Sequence, residues 1–268
     1  MTIIQAIILG IVEGVTEFLP VSSTGHLILT SKLLGIADSD FLKSFEIAIQ
    51  FGAILAVVAL YWKKIWNNKE NFKKIAIAFI PTAVIGFILY KILKQYLLSN
   101  EMLVIWSLGI GGVLLILFEI WHQPSLKLRP GEVKNIHPID KISSISYRKS
   151  FFIGLWQALA IIPGVSRSGA TIVGGLLMGI SREAIVEFSF LLAVPTMAAA
   201  TGYDLLKSGA SFSGNQIYFL ILGFVVSFVV AMVAIKWFIG YIKNHSFIGF
   251  GVYRIVVAVL FYFLVIRI

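Results

Sequence analysis

Read as alternating apolar and polar stretches, the chain is a succession of long apolar runs. Six of them approach the ~20 residues a helix needs to cross a bilayer: Phe45–Trp62, Ile75–Leu97, Met102–Trp121, Ala184–Leu206, Gln216–Phe238 and Phe247–Ile266. Two further runs are apolar but interrupted. Ile3–Leu34 is broken by Glu13, Glu17, Pro20, Ser22, Ser23, Thr24, Gly25 and His26. Phe151–Ile180 is broken by Gln157, Pro163, Gly164, Ser166, Arg167, Ser168 and Gly169. A polar break in mid-run suits a re-entrant helix–loop–helix that enters and leaves on one side. Irregular backbone at that depth is tolerated where it is buried in protein or lines a wet cavity. The pattern predicts an all-α integral membrane protein with six transmembrane helices and two re-entrant hairpins.

Composition agrees. Hydrophobic residues make up 59% of the chain and charged residues 13%, against about 25% charged in a soluble domain. There is no cysteine, so disulfides, thiolate metal sites and cysteine catalysis are excluded. Met1–Val12 holds no Lys or Arg, and Glu13 and Glu17 follow, so the N-terminal run reads as mature structure and not as a leader. A net charge of +9 would suggest nucleic acid in a soluble protein. Here it fits loop charge that fixes orientation, and no basic module interleaved with aromatics points to nucleic-acid binding.

The position of the charge sets a topology. Lys63, Lys64, Lys69, Lys73 and Lys74 separate the first two spans, Lys236 and Lys243 flank the turn before the last, and the 122–149 loop carries Lys127, Arg129, Lys134, Lys141, Arg148 and Lys149. These loops are expected in the cytoplasm, with Ser99–Glu101, Lys207–Asn215 and both termini outside. Residues 1–121 and 150–268 then become halves of one polytopic domain, each a hairpin followed by three spans, in inverted orientation. Gly10, Glu13, Ser22, Ser23 and Gly25 align at one constant offset with Gly154, Gln157, Ser166, Arg167 and Gly169, with Pro20 and Pro163 one position out of register. Inverted repeats of this kind place a functional site near the midplane, where the broken helices meet.

The candidate chemistry lies in the two breaks. Glu13 and Glu17, at i and i+4, share a helix face. Carboxylates at membrane depth are costly and need a purpose or a partner. They read as a site for a hard divalent cation such as Mg²⁺ or Ca²⁺, or as a general base, or as a structural pair on loop amides. Pro20 is expected to end the first helix, and Ser22, Ser23 or Thr24 to cap the second, whose free amides favour an anion. His26 lies one turn on, within reach of a serine proton. In the matching loop Arg167 offers a planar fork suited to phosphate oxygens, with Glu17 as an alternative partner. Glu46 with Gln50, and Glu187, are expected to support this site. Arg254 is expected to snorkel or pair, and Glu119 and Trp121 to mark a membrane boundary.

The run Glu13-Gly14-Val15-Thr16-Glu17-Phe18-Leu19-Pro20-Val21-Ser22-Ser23-Thr24-Gly25-His26 resembles the first signature of the bacterial undecaprenyl pyrophosphate phosphatases of the bacitracin-resistance type. Pro163-Gly164-Val165-Ser166-Arg167-Ser168-Gly169-Ala170-Thr171 resembles the second. The similarity covers essentially the whole chain, including Phe45–Val57 and Glu187–Pro195. It implies removal of the terminal phosphate of undecaprenyl pyrophosphate to recycle the lipid carrier of peptidoglycan precursors, in the bacterial inner membrane. It also implies dependence on a divalent cation and a site open to the outer, periplasmic face. By the resemblance Glu13 and Glu17 hold the metal, Glu17, Ser23, His26 and Arg167 carry catalysis, and Ser22, Thr24, Ser166 and Thr171 stand by the phosphate with Arg167. Serine, histidine and activated water all stay open as nucleophile. The competing reading is a polyprenyl phosphate transporter, since inverted repeats with broken helices also build transporters. Homo-oligomerisation is left open.

Overall fold

The computed structural model describes residues 1–66, 69–92, 100–122, 138–208 and 212–267. Lys127, Arg129 and Lys134, and so half of the basic residues expected in the long loop, lie outside these residues. Among the described residues the chain is helical throughout, with ten α-helices: α1 (Ile3–Thr16), α2 (Ser23–Leu33), α3 (Asp40–Trp66), α4 (Lys69–Ile92), α5 (Glu101–His122), α6 (Tyr147–Ala158), α7 (Arg167–Leu177), α8 (Arg182–Ser208), α9 (Gly214–Ile242) and α10 (Ile248–Arg267). Five of them, α3, α4, α5, α8 and α9, are long and apolar enough to cross a membrane, and the apolar stretch of α10, Ile248–Leu264, is shorter. The outward surface is itself apolar, with Phe87, Trp106 and Trp121 among its most exposed side chains. Such a surface is stable against lipid and not against water. The chain is a multi-pass membrane protein.

The helix ends follow local chemistry. Thr2 and Gln5 form a reciprocal capping box at the start of α1, as do Ser213 and Gln216 at the start of α9. α1 stops at Thr16, four residues short of Pro20, and α2 starts at Ser23 with Ser22 as its cap. In the second half α6 gives way to a short 3-10 turn over Leu159–Ile161, and α7 starts at Arg167 with Ser166 as its cap. Both breaks therefore end on a serine cap at equivalent positions. Gly164 has φ of +89°, and a Cβ there would lie 2.7 Å from both the Ser107 Cβ and the Val104 carbonyl oxygen. The second break thus needs glycine twice over, for its backbone and for its closeness to α5.

Packing links the halves. α1 lies on α9, α6 on α4, α3 on α9, α8 on both α3 and α4, and α5 on α10. Exchanging the first five helices for the last five maps these pairs onto one another. The short helices approach their long partners at glycine. A Cβ on Gly10 would come within 2.9 Å of the Gly223 carbonyl oxygen, and one on Gly154 within 2.0 Å of that of Ala78. Close approach at small residues is how helices gain packing energy in a bilayer, where apolar burial alone contributes little. Between the helices Phe18, Phe45, Phe188, Phe190, Phe238 and Phe247 fill the interior. Glu119, near the end of α5, is fully buried and paired with Arg182 of α8, whereas Trp121 is exposed. A buried acid at a helix end needs a cation more than it needs water.

Gly154→Val is expected to lower stability by about 1–3 kcal/mol through overpacking. Gly240→Ala, where an added Cβ meets nothing within 4 Å, should leave stability unchanged or raise it by about 0.5–1 kcal/mol. Thermal unfolding in detergent distinguishes the two. Equal shifts would refute the close α4–α6 contact.

Candidate active site

The two breaks meet back to back. The carbonyl of Leu19 in the first accepts from Ser168 Oγ at 2.8 Å and Ser166 Oγ at 3.3 Å in the second. The two hydroxyls lie 3.2 Å apart, and Ser166 Oγ also caps α7 through the Gly169 amide at 3.1 Å. A break strips backbone groups of helical partners, and at membrane depth each must find another. Here one break supplies donors to the other.

Glu17 is the hub of the cluster. As the C-cap of α1 it is 6% exposed. Its Oε1 accepts from Arg167 Nη2 at 2.8 Å, and its Oε2 accepts the Ser23 hydroxyl in a very short hydrogen bond. Arg167 Nη1 donates to the Ser189 carbonyl at 2.9 Å, and the guanidinium lies 5.8 Å from the Phe18 ring centroid, in cation–π range. One carboxylate thus joins the first residue of α2 to the first residue of α7. Ser23 and Arg167 are each the first residue of a helix, the end where free amides and the positive dipole lie.

Glu13, one turn earlier, is fully buried, and neither of its carboxylate oxygens has a hydrogen-bond partner. It lies within electrostatic reach of Glu17, Glu46 and Arg167. Arg167 Nε and Ser189 Oγ are also buried without a partner. Orphaned polar atoms at this depth are costly, and their clustering beside Glu17 marks a place built for something further. Two acceptors and two donors make it suited to a cation and an oxyanion together.

Ser23 and His26 are not joined. The Ser23 hydroxyl faces Glu17, and His26 is held elsewhere. His26 Nδ1 lies 2.8 Å from the Ser22 carbonyl, an oxygen that can only accept, so the proton of neutral His26 sits on Nδ1. Its Nε2 lies 2.9 Å from the Tyr253 hydroxyl, and the two rings stack. The expected serine–histidine pair is therefore a serine–glutamate pair in this structure, with histidine one step away. The reason is local: His26 lies one turn into α2, and its ring folds back onto the cap carbonyl. Ser22, next to Ser23, has φ of 73°, and no other described non-glycine residue has positive φ. Strain at such a position is borne where surrounding bonds hold it, here the His26 side chain and the cap to the Gly25 amide.

The remaining expected residues divide. Ser166 stands at the junction of the breaks. Thr171 turns its hydroxyl onto the Arg167 carbonyl at 2.8 Å within its own helix, and Thr24 is half-buried at the start of α2. Glu46 accepts from Ser31 at 3.5 Å. Arg254 neither snorkels nor pairs with a carboxylate among the described residues. It is 3% exposed and donates to backbone carbonyls only. Sequence reasoning missed Tyr253, Ser168 and Ser189. Ser168 lay inside a motif already singled out, but a tyrosine in an apolar run and a serine in a helix carry no signal of their own.

A model of the family described as "Bacitracin resistance protein BacA" matches residues 6–260. The chain belongs to this family. Similar members of the BacA family include the undecaprenyl-diphosphatase of Aquifex aeolicus (strain VF5), 51% identical over 97% of this chain and 98% of that protein. Those of Sulfurihydrogenibium sp. (strain YO3AOP1) and Persephonella marina (strain DSM 14350 / EX-H1) are each 52% identical, over 98% and 97% of this chain and 99% and 98% of theirs. The match to the BacA family thus takes in both breaks and all the helices between them.

Glu17→Gln should destabilise the protein by about 3–5 kcal/mol, because it leaves the Arg167 guanidinium buried without its counter-charge. Adding Arg167→Met should recover part of that loss. Unfolding in detergent that shows the two changes to be additive would mean that the pair is not coupled.

Proposed function

We propose that the chain is an undecaprenyl-diphosphatase, which hydrolyses undecaprenyl pyrophosphate to undecaprenyl phosphate and inorganic phosphate. One observation carries the chemistry. Glu17 holds a serine hydroxyl and an arginine guanidinium on its two oxygens at the meeting of two helix starts. Phosphoryl transfer needs positioning, charge neutralisation and a proton acceptor, and these are the groups present.

In this reading Ser23 Oγ attacks the terminal phosphorus and its proton passes to Glu17. The bond from phosphorus to the bridging oxygen breaks, and the lipid leaves as its monophosphate. Glu17 hands that proton to the departing lipid phosphate. Water then attacks the phosphoserine and gives a proton to the freed Glu17 carboxylate. The bond from phosphorus to Oγ breaks as Glu17 returns the proton to Ser23, and inorganic phosphate departs with the serine restored. Arg167 takes the charge of the equatorial oxygens as the substrate enters between it and Glu17. His26, with its proton on Nδ1 and its Nε2 on Tyr253, orients the start of α2. A divalent cation fits the donor set. Glu13 offers two buried oxygens without partners, and each Glu17 oxygen keeps a free lone pair. Among the described residues no three acidic or histidine side chains converge, so phosphate oxygens and water would complete the coordination. The cation would supply charge neutralisation.

We assign the helices as six crossings and two re-entrant pairs, α1–α2 and α6–α7, in inverted halves of a bacterial inner-membrane protein whose site opens outward. The exchange symmetry of the packing, the matching caps Ser22 and Ser166 and the matching contacts of Gly10 and Gly154 support this assignment.

Phosphate release from undecaprenyl pyrophosphate in detergent tests the activity, and a purified chain that releases none would refute it. Ser23→Ala is expected to lower kcat by at least about 10³-fold with substrate still bound. A chiral terminal phosphate should be transferred with net retention, whereas inversion with appreciable activity in Ser23→Ala would make water the attacker. Chelator should abolish turnover, and Glu13→Gln should raise the Mg²⁺ or Ca²⁺ concentration needed to restore it. An unchanged metal requirement would move Glu13 out of the cation site.

The chain has no cysteine, so single Lys69→Cys, Asn135→Cys and Asn215→Cys variants report topology directly. With an impermeant thiol reagent on intact cells, label is expected at position 215 and protection at 69 and 135. The reverse pattern would refute the orientation.

A further inference from the structure

We infer that Arg254 is a positioning residue that holds the two breaks at catalytic spacing by binding their backbone. Its guanidinium, almost wholly buried on α10, donates from Nη1 to the Pro20 carbonyl of the first break at 3.2 Å and from Nη2 to the Gly164 carbonyl of the second at 3.1 Å. Nη2 also donates to the Ser107 carbonyl at 3.1 Å and Nε to that of Leu108 at 3.3 Å, both on α5. Four of the five N–H groups of the fork are thus spent on carbonyls, two on the breaks and two on a continuous helix.

This is an unusual use of a buried cation. Burying a guanidinium at membrane depth is expensive, and pairing with an acid is the ordinary remedy. Arg254 has no carboxylate partner among the described residues. Two of its four acceptors, the Pro20 and Gly164 carbonyls, are oxygens that breaking a helix leaves unsatisfied. Pro20 lies three residues after Glu17 and three before Ser23, and Gly164 lies three before Arg167. A group bonded to both carbonyls fixes the separation of the serine–glutamate pair from the arginine. The fold also reserves space for it. A Cβ on Gly111 of α5 would stand 2.2 Å from Arg254 Nη2 and 2.8 Å from its Cζ. The adjacent residue, Tyr253, reaches His26, so two successive residues of α10 hold the histidine and both breaks.

Lysine cannot replace this arginine, because one ammonium has no planar fork to span four carbonyls. Since misplacement of about 1 Å can cost on the order of 10²-fold in rate, Arg254→Met should lower kcat about 100-fold and change KM by less than about threefold. Arg254→Lys should regain only a small part.

The decisive experiment is a cross-link. A Cβ on Gly169 would lie 3.5 Å from the Pro20 Cβ, a spacing a disulfide accepts. Pro20→Cys/Gly169→Cys in this cysteine-free chain should therefore close under mild oxidant. Adding Arg254→Met should slow closure at least tenfold. Once the bond has formed, it should return at least tenfold of the lost kcat, reversibly with reductant, because the covalent staple does what the arginine did. Gly111→Ala, which displaces the guanidinium while leaving the arginine in place, should slow closure to an intermediate degree, and it carries both readouts if Arg254→Met does not fold. The inference is overturned by failure of the parent pair to close, by closure at an unchanged rate with Arg254→Met, or by a KM rise that the staple does not relieve, which would make Arg254 a substrate contact. The kinetic arm rests on the diphosphatase reading; the cross-linking arm rests on geometry alone. A parent chain without phosphatase activity therefore counts against the former and leaves the latter to decide.

Discussion

The constraint behind this molecule is that two interrupted helices bury their freed backbone groups inside the protein. Each interruption frees carbonyls and amides, and the structure resolves the debt in three ways. Serine caps take the amides of α2 and α7. Hydroxyls of the second break donate to Leu19 in the first. Arg254 donates to Pro20 and Gly164. Once these bonds are made, the breaks can meet only in one way, and that arrangement puts Arg167 on Glu17 and Glu17 on Ser23. The charged cluster follows from backbone satisfaction, and the helices around it supply the shape that keeps the breaks in contact.

Much of this was legible in the chain because polar residues inside apolar runs must be accounted for. Glu13, Glu17, Ser23, His26 and Arg167 stand out against their neighbours, and all lie in or beside the two breaks. The constant offset between the halves also has a structural counterpart, since Ser22 and Ser166 both cap and Gly10 and Gly154 both touch a neighbouring backbone. What could not be read was partner choice. Spacing alone makes serine and histidine at 23 and 26 look like a pair. It cannot reveal that the imidazole turns back onto the Ser22 carbonyl, or that a carboxylate six residues earlier takes the hydroxyl. Arg254 was conspicuous yet unplaceable, because its partners are carbonyls, which every residue has. Glu119 and Arg182 lie far apart in sequence and meet only where the first residue of α8 reaches the end of α5.

The site also shows how a carboxylate can serve structure and chemistry at once. While Glu17 is shared by Ser23 and Arg167, its charge is balanced and the buried pair is stable. In the proposed mechanism an arriving pyrophosphate competes for the same guanidinium. The guanidinium can then turn from carboxylate to phosphate with little change in net charge, which keeps the exchange inexpensive in a medium of low dielectric. Glu13 differs in having no such cationic partner, and in the proposed mechanism that asymmetry between two acids one turn apart leaves Glu13 free for a cation while Glu17 also accepts the proton.

The placement of the short helices bears on how the chain is made. α1 rests on α9 and α6 on α4, so α1 finds its main partner about 200 residues later in the sequence. At roughly 5–20 residues per second, on the order of 10–40 s separate the emergence of α1 from that of α9. Throughout that interval an acidic, glycine-faced helix has α2 and α3 but not α9 to pack on, and the first break lacks Arg254, which emerges later still. The α1–α9 contact can therefore form only after most of the chain has been made. Contacts this distant in sequence make insertion order, and not helix stability, the vulnerable stage in the life of the protein.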